Sequence, residues 1–353
     1  MSATIKEGKM CFSVFGRGYD DTRVDSGEGL EDNLEIYDGG INSAVMDSAG
    51  QYVWLAYNGF NHSQGLFKYN LSTWTDEQQT AITAVTNYQI FKPSNVDNDY
   101  GLVTAAGDNW YVIDLNDDTI YASGTLAGIT TIDGDCCDCV LVDDKIILVN
   151  LRPGNSTTTK AVFDITNNTA TIGAIYSGRS TSCFTDEDSL FSALYSVWWY
   201  DYRYLYSANV SGTTEWSIQA ADQGSGGFSK IAMEGLGGNK KLYLPTLIYS
   251  SWRMGEYDAR SAPDVEAPKP KRFFGKFPSQ PTLDWEYNKR RGIAYNAGRT
   301  KMAFTTNIGT YVTDLNELEL LTDEYGVIVM CMNDEYVICS DRILRHVYVF
   351  KYR

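Results

Sequence analysis

The densest run of potential metal ligands in this 353-residue chain is the stretch of residues 133–139, which reads Asp-Gly-Asp-Cys-Cys-Asp-Cys. Thiolates at Cys136, Cys137 and Cys139 could bind zinc, but a closed zinc site needs four nitrogen or sulfur ligands. The fourth ligand would have to be the distant Cys183, and the two Cys-x-x-Cys pairs typical of structural zinc modules are missing. We therefore predict reduced structural thiols here, with a disulfide or a zinc ion as alternatives.

Neither of the two histidines belongs to a recognisable catalytic pattern. His62 lies in a polar stretch and His346 at the start of a predicted strand. A Ser-His-Asp hydrolase needs a histidine that is held by a carboxylate, and nothing near either histidine suggests one. Histidine-based catalysis is therefore not expected.

Two acidic stretches, residues 97–101 and 114–118, have the composition of calcium-binding loops. The glycine is at the wrong position for an EF-hand and no glutamate closes the loop. Asp and Asn are also common in turns, and the glycine-rich stretches lack the lysine of a phosphate site. The sequence therefore predicts no catalytic residue, no metal site and no cofactor.

Two other features are typical of interaction rather than catalysis. Residues 267–278 form a basic, Pro- and Phe-rich segment on an acidic chain, and its candidate partner-binding residues are Lys269, Lys271, Arg272, Phe273, Phe274 and Lys276. An aromatic run supplies three more candidates, Trp198, Trp199 and Tyr200. The basic segment could dock on an acidic neighbour or a copy of the same chain, and the aromatic run could stack on a sugar or a partner. The alternatives are a decorated loop and packing inside the fold.

A strand-and-turn segment repeats along the chain and indicates its architecture. Each copy centres on an Asp or Asn that follows an apolar strand, and these anchors are Asn70, Asp114, Asp164, Asn209, Asp258 and Asp314. The shortest spacing is 114 − 70 = 44 residues and the longest is 314 − 258 = 56 residues. A period of about 40–50 residues composed of strands is typical of a β-propeller with one four-stranded blade per repeat.

We predict an all-β, seven-bladed β-propeller in which residues 1–353 form a single domain. Three strands precede the end of the chain, so the last blade lacks one strand. Residues 1–40 are predicted as a closing segment that supplies it, from residues 10–15 or 33–37, because closure removes exposed sheet edges. Residues 259–281 are predicted as a basic insertion in the fifth blade. The alternative is six blades, with the fifth blade being partly an insertion.

The chain resembles the seven-bladed β-propeller class over nearly its whole length. The Gly-His and Trp-Asp pattern of WD40 repeats is absent. The segment 70–74, Asn-Leu-Ser-Thr-Trp, is similar to the strand-turn-Trp pattern of kelch repeats, but the kelch double glycine is missing from blade to blade. The resemblance therefore implies a fold and assigns no functional residue.

The composition limits the partners. The formal net charge is −16, which argues against nucleic acid and against an anionic membrane surface. No apolar run approaches the ~20 residues of a membrane-spanning helix, and the first residues lack the apolar core of a secretion signal. We expect cytoplasmic synthesis without a signal peptide and no membrane insertion.

The acidic, Asn-, Thr- and Tyr-rich composition resembles in style the propeller components of tailed-phage virions. This resemblance implies a non-enzymatic structural or binding protein of a tail, neck or fibre that mediates attachment or decoration. Its partners would be other assembly proteins, copies of itself or a surface glycan. The alternatives are a carbohydrate-active enzyme with a carboxylate pair in the central channel and an intracellular peptide-binding scaffold.

Overall fold

The computed structural model describes a large part of the chain, in segments. The described residues are 3–6, 9–13, 41–57, 65–73, 75–79, 82, 88–93, 98–129, 138–151, 157–177, 179–186, 189–195, 203–209, 214–220, 232–234, 241–248, 251–258, 272–277, 293–296, 300–306, 309–314, 318–322, 327–340 and 347–352. Within these segments every secondary-structure element is a β-strand. No helix in them is long and apolar enough to cross a membrane. The predicted all-β class is therefore confirmed for the described residues.

The strands are short and follow one another closely along the chain. In chain order they are β1 (Ala3–Lys6), β2 (Lys9–Ser13), β3 (Ile41–Met46), β4 (Tyr52–Tyr57), β5 (Gly65–Asn70), β6 (Thr75–Gln79), β7 (Gln89–Phe91), β8 (Tyr100–Ala105), β9 (Asn109–Asp114), β10 (Ile120–Thr125), β11 (Asp138–Val142), β12 (Lys145–Leu151), β13 (Thr157–Asp164), β14 (Thr169–Ser177), β15 (Arg179–Asp186), β16 (Ser189–Tyr195), β17 (Arg203–Asn209), β18 (Thr214–Ala220), β19 (Ala232–Glu234), β20 (Lys241–Ile248), β21 (Ser251–Asp258), β22 (Arg272–Phe277), β23 (Ile293–Tyr295), β24 (Met302–Thr306), β25 (Gly309–Thr313), β26 (Leu318–Thr322), β27 (Ile328–Met332), β28 (Tyr336–Ser340) and β29 (Val347–Lys351).

These strands form seven antiparallel sheets within the described residues. Sheets one to six each contain four consecutive strands, namely β3–β6, β7–β10, β11–β14, β15–β18, β19–β22 and β23–β26. Sheet seven has five strands in the order β1-β2-β29-β28-β27. Each of sheets one to six is thus a meander in which neighbours in sequence are neighbours in space, as short connections favour.

The repeated Asp or Asn marks the end of the third strand in each repeat. Asn70, Asp114, Asp164, Asn209 and Asp258 are the last residues of β5, β9, β13, β17 and β21, and Asp314 directly follows β25. In the first three sheets the side chain caps the next turn. Its Oδ1 accepts the N–H of Ser72 at 2.8 Å, of Asn116 at 2.7 Å and of Asn167 at 2.9 Å, respectively. Asp and Asn suit this position because a short side chain can bond its own backbone two or three residues on.

The residue after the anchor ties the two turns of its sheet together. Its N–H donates to the turn between the first and second strands: Leu71 to the carbonyl of Gln51, Leu115 to Asp99 and Ile165 to Asp144. In sheet seven, Tyr352 makes the equivalent bond to Glu335. The end of β29 therefore has the same geometry as the third strand of the other sheets.

The hydrophobic core lies between the sheets, because the second strand of a sheet is buried on both faces. Along β4, Val53 and Leu55 join a cluster shared with sheet seven, while Trp54 and Ala56 join a cluster shared with sheet two. Two further clusters join sheet two to sheet three and sheet six to sheet seven. This arrangement explains why the strand sequences are apolar runs rather than alternating patterns.

Sheet seven combines strands that are far apart in the sequence. Strand β2 pairs with β29, with Cys11 opposite Phe350 and Ser13 opposite Tyr348. Strand β2 overlaps the first of the two predicted candidates, residues 10–15, over residues 10–13, and the second candidate, residues 33–37, lies outside the described part. The sequence did not predict β1, which adds a fifth strand by pairing with β2.

The predicted insertion at residues 259–281 needs a partial correction. Residues 272–277 form β22, which pairs with β21 and places Phe273 opposite Gly255 and Arg272 opposite Glu256. This part is the fourth strand of sheet five rather than a loop, and a β-bulge between Trp252 and Met254 interrupts its register. The remaining residues of the range lie outside the described part.

Candidate interaction surface

One end of the sheets carries a concentration of described Asp, Asn and Glu side chains. Because the strands are antiparallel, the first-to-second and third-to-fourth turns lie at the same end of each sheet. We call this end the turn face, and the residues on it whose side chains the structure describes are 47–51, 70–73, 92–93, 98–99, 114–119, 143–144, 164–168, 296, 300–301, 314, 333–335 and 351–352.

Contacts between neighbouring sheets join the described parts of the turn face on sheets six, seven, one and two. Between sheets one and two, the Ser48 N–H donates to Asp99 Oδ1 at 2.7 Å and its hydroxyl donates to Asp99 Oδ2 at 3.0 Å. Between sheets six and seven, Asn296 donates its side-chain N–H to Asp334. Gly50 of sheet one, at φ +65°, lies against the Asn333 side chain of sheet seven, where a Cβ atom would overlap it.

The turn face is acidic. Eleven carboxylates lie on it, namely Asp47, Asp99, Asp114, Asp117, Asp118, Asp143, Asp144, Asp164, Asp314, Asp334 and Glu335. Five lysines approach these residues, namely Lys68, Lys92, Lys145, Lys301 and Lys351. Six of the carboxylates are exposed, so the described part of this surface presents net negative charge to a partner.

Lys68 and Asp118 form a buried ion pair that joins sheets one and two. The Lys68 Nζ atom lies 3.3 Å from Asp118 Oδ1, and the two side chains are 3% and 4% exposed. Lys68 also donates to the carbonyl of Asn116 and lies 4.1 Å from the centre of the Tyr52 ring. Burial raises the pKa of Asp118, so Lys68 is needed to balance its charge.

Asp99 also lies at the contact between sheets one and two. Burial acts to raise its pKa, but hydrogen bonds from Ser48 and from the Asn116 side chain outweigh that effect and lower it. Asp99 and Asp114 belong to the two stretches compared with calcium loops, and both use their oxygens for local hydrogen bonds. Within the described part of the chain, no group of three or more His, Cys, Asp or Glu residues could hold a metal ion.

The ionised carboxylate of Asp47 is stabilised by fewer hydrogen bonds than that of Asp99. It is 1% exposed; its Oδ1 accepts the Tyr52 N–H at 2.7 Å, and its Oδ2 accepts no hydrogen bond. Burial raises the pKa of Asp47, the charge of Asp99 raises it further, and Lys92 opposes both effects. The ionised form therefore costs stability at neutral pH.

We expect an Asp47→Asn variant to gain stability relative to the wild type as the pH rises. In the wild type, the folded state keeps a proton that the unfolded chain loses above its ordinary pKa of 3.8. The contribution of Asp47 to wild-type stability therefore falls from that pH until its raised folded pKa is passed, and the asparagine variant has no such loss. Urea unfolding of both proteins from about pH 3.5 to 7 measures the difference. A difference that does not change with pH would contradict the expectation.

A patch of exposed side chains lies on the outer strand of sheet two, beside the turn face. Ile120 and Tyr121 are 41% and 42% exposed, and they are the exposed large hydrophobic residues of the described part. Strand alternation predicts that one of two neighbours faces inward, but a β-bulge between Ile120 and Ala122 breaks the alternation at Tyr121. This patch therefore could not be predicted from the sequence.

The comparisons with known proteins identify the fold. No family model and no curated protein matches the chain. The β-propeller domain of Cps50 (Swd1) from Myceliophteria thermophila matches with a TM-score of 0.58 and 11% identity, over 91% of this chain and 99% of that one. The chain is a β-propeller.

Two further solved structures match this propeller. Raptor from Chaetomium thermophilum has a TM-score of 0.59 and 9% identity over 90% of the propeller, which spans 29% of the Raptor chain. KlHsv2 with its loop 6CD replaced by a Gly-Ser linker has a TM-score of 0.51 and 9% identity, over 89% of the propeller and 93% of that chain. At these identities the likeness shows the fold alone.

The propeller places the predicted partner-binding residues in different segments. Arg272, Phe273, Phe274 and Lys276 lie on β22, the edge strand of sheet five within the described residues. Lys269 and Lys271 lie outside the described residues, as do Trp198, Trp199 and Tyr200, which fall between β16 and β17. Whether these residues bind a partner stays a prediction.

The structure describes the side chains of three cysteines. Cys139 and Cys339 are buried and Cys331 is half-buried, and none of the three forms a disulfide. A cross-strand pair of Cys331 and Cys339 is ruled out by the register, which places Cys339 opposite Val329 and Cys331 opposite Ile338. Cys136, Cys137 and both histidines lie outside the described residues.

The first strands of the sheets bear on the enzyme alternative, because a carboxylate pair in the central channel would have to come from them. In β3, β7 and β27, the described side chains are apolar or neutral. Asp138, Asp186 and Glu234 lie at the ends of β11, β15 and β19, where only the backbone is described. The described side chains of β3, β7 and β27 thus offer no carboxylate pair.

Proposed function

We propose that this propeller is a non-enzymatic binding module that joins a larger protein assembly through charge-complementary surfaces. The observation that carries the proposal is the separation of charge along the chain. The described side chains of the turn face include eleven carboxylates, which five lysines approach, whereas residues 269–276 contain four cations and no carboxylate. Complementary potentials of this kind orient partners and raise association rates.

The first test replaces the four cations of the basic segment. In this arm variant, Lys269, Lys271, Arg272 and Lys276 become serine. We expect its fold to be unchanged. Its self-association, measured by sedimentation velocity, should be weaker by at least about tenfold at low salt. The control keeps the charges by exchanging each lysine for arginine and Arg272 for lysine, and it should associate like the wild type. Equal association of the arm variant and the wild type would overturn the proposal.

We also infer that the seven sheets are the seven blades of a closed ring. The pairing of β2 with β29 supports closure, as does the core cluster that sheet seven shares with sheet one. The first strands of neighbouring sheets also contact one another, from β19 through β23 and β27 to β3 and β7. Strand β22 completes sheet five, which favours seven blades over six blades with an insertion.

The finer roles stay predictions. These are attachment or decoration in a phage virion, cytoplasmic synthesis before incorporation into it, and binding of a surface glycan. None of the three similar structures is named as a virion protein. Sedimentation of the native protein from its source separates the possibilities, because a virion component co-migrates with a heavy particle at fixed stoichiometry.

A further inference from the structure

The patch beside the turn face, which we call the Tyr121 patch, consists of Tyr100, Ile120 and Tyr121 with the carboxylates of Asp114 and Asp117. Its apolar centre is exposed, and its acidic members belong to the turn that follows β9. In most surface turns the exposed residues are polar, so an exposed isoleucine beside an exposed tyrosine is a candidate contact site.

The Tyr121 ring is held in place before any partner arrives. Its hydroxyl donates to Asp114 Oδ2 at 2.8 Å, and its ring meets Tyr100 edge-on with centroids 5.1 Å apart. The bond to Asp114 raises the pKa of Tyr121 to about 12, so the hydroxyl keeps its proton at physiological pH. A fixed aromatic side chain loses little conformational entropy on binding, which suits an anchor at an interface.

The charges around the ring favour a basic partner. Asp117 is exposed and lies in the same turn as Asp114, and Asp99 accepts the side-chain N–H of Asn116 between them. No lysine or arginine belongs to this turn. A partner that brings both cations and an apolar or aromatic side chain would match the carboxylates and the ring together.

The chain itself contains a segment of that chemistry. Residues 269–276 read Lys-Pro-Lys-Arg-Phe-Phe-Gly-Lys. The Arg272–Phe277 part is the edge strand of sheet five, and its pairing with β21 fixes it there. The Tyr121 patch lies on sheet two, so a second copy of the chain would have to supply the segment.

We propose that the basic edge strand β22 and the lysines before it dock on the Tyr121 patch of a second copy. This inference rests on the proposed function and names the partner as the chain itself. The contact joins two different surfaces, so it is heterologous. In a pair of copies, one copy keeps a free Tyr121 patch and the other keeps a free basic segment. Repetition then gives a ring or a filament, depending on the rotation between copies.

Complementation between two variants tests the inference. The patch variant carries Ile120→Thr and Tyr121→Thr, which keep strand-forming residues at exposed positions. The arm variant described above keeps the patch intact. Alone, each should associate at least about tenfold more weakly than the wild type. Mixed in equal amounts, they should form a heterodimer that grows no further, because one functional arm meets one functional patch.

The possible outcomes separate this inference from the proposed function. If the arm variant loses association but the patch variant associates like the wild type, the basic segment binds elsewhere and the patch inference is wrong. If both variants associate like the wild type, the proposed function fails as well. If both lose association but the mixture forms no heterodimer, the two surfaces do not meet each other. Circular dichroism of both variants excludes loss of fold.

Discussion

A Lys68→Met variant should lose about 3–5 kcal/mol of unfolding free energy, because the change leaves the buried Asp118 carboxylate without its counter-ion. The Lys68 Nζ atom lies 3.3 Å from Asp118 Oδ1, and Asp118 Oδ2 has no hydrogen-bond partner. The substitution also removes the bond to the Asn116 carbonyl that helps to join sheets one and two. Urea unfolding at neutral pH measures the loss.

The matched control removes both charges. Asp118 has a φ of +66°, so asparagine, which tolerates this conformation, is the suitable replacement. The double variant Lys68→Met, Asp118→Asn should recover a large part of the loss, since no buried charge remains unpaired. Lowering the pH should also reduce the loss in the single variant, because protonation neutralises Asp118. If the single and double variants are equally unstable, the cost comes from the missing lysine contacts and not from the unpaired charge.

The parts of this fold that could be predicted from the sequence depend on local chemistry. The Asp or Asn anchors mark the ends of third strands because their side chains cap the turn that follows. The residues with positive φ other than glycine, in the described part, are also Asp or Asn, namely Asp108, Asp118, Asp143, Asp144 and Asn168. A strand repeat punctuated by such residues is visible without any knowledge of packing.

The parts that could not be predicted depend on partners that are distant in sequence. Lys68 reads as an exposed residue of an ordinary strand, and only the fold brings it to Asp118, 50 residues away. Trp54 is fully buried, and its Nε1 donates to the carbonyl of Leu115 at 2.7 Å, which also joins sheets one and two. The exposure of Tyr121 results from a bulge, which leaves no mark in the apolar pattern.

The strand in the basic segment could not be predicted for a different reason. Its Pro and Lys content predicts a loop, yet Arg272–Phe277 pairs with β21. Phe273 and Phe274 have high strand propensity, and a sheet with three strands has a free edge that a fourth can cover. Tertiary pairing thus overrides the local composition, and a segment predicted as an insertion completes a sheet.

Removal of the N-terminal strand β2 should destabilise the whole propeller. A chain that lacks residues 1–14 leaves the edge of β29 unpaired where Cys11, Phe12 and Ser13 face Phe350, Val349 and Tyr348. Ladder hydrogen bonds contribute about 1 kcal/mol each, so we expect a loss of at least about 3 kcal/mol. The uncovered edge also offers unpaired N–H and C=O groups to other chains, so this variant should aggregate on mild heating.

A shorter truncation provides the control for this prediction. A chain that lacks residues 1–7 loses β1, which pairs only with β2 in sheet seven, and keeps the pairing of β2 with β29. It should unfold at nearly the same urea concentration as the full chain, because β29 remains covered. If the longer truncation is equally stable, β2 does not close the ring and the seven-bladed closure that we infer is wrong. A large loss in the longer truncation alone, with unfolding still in a single step, means that the pairing of β2 with β29 stabilises the whole propeller.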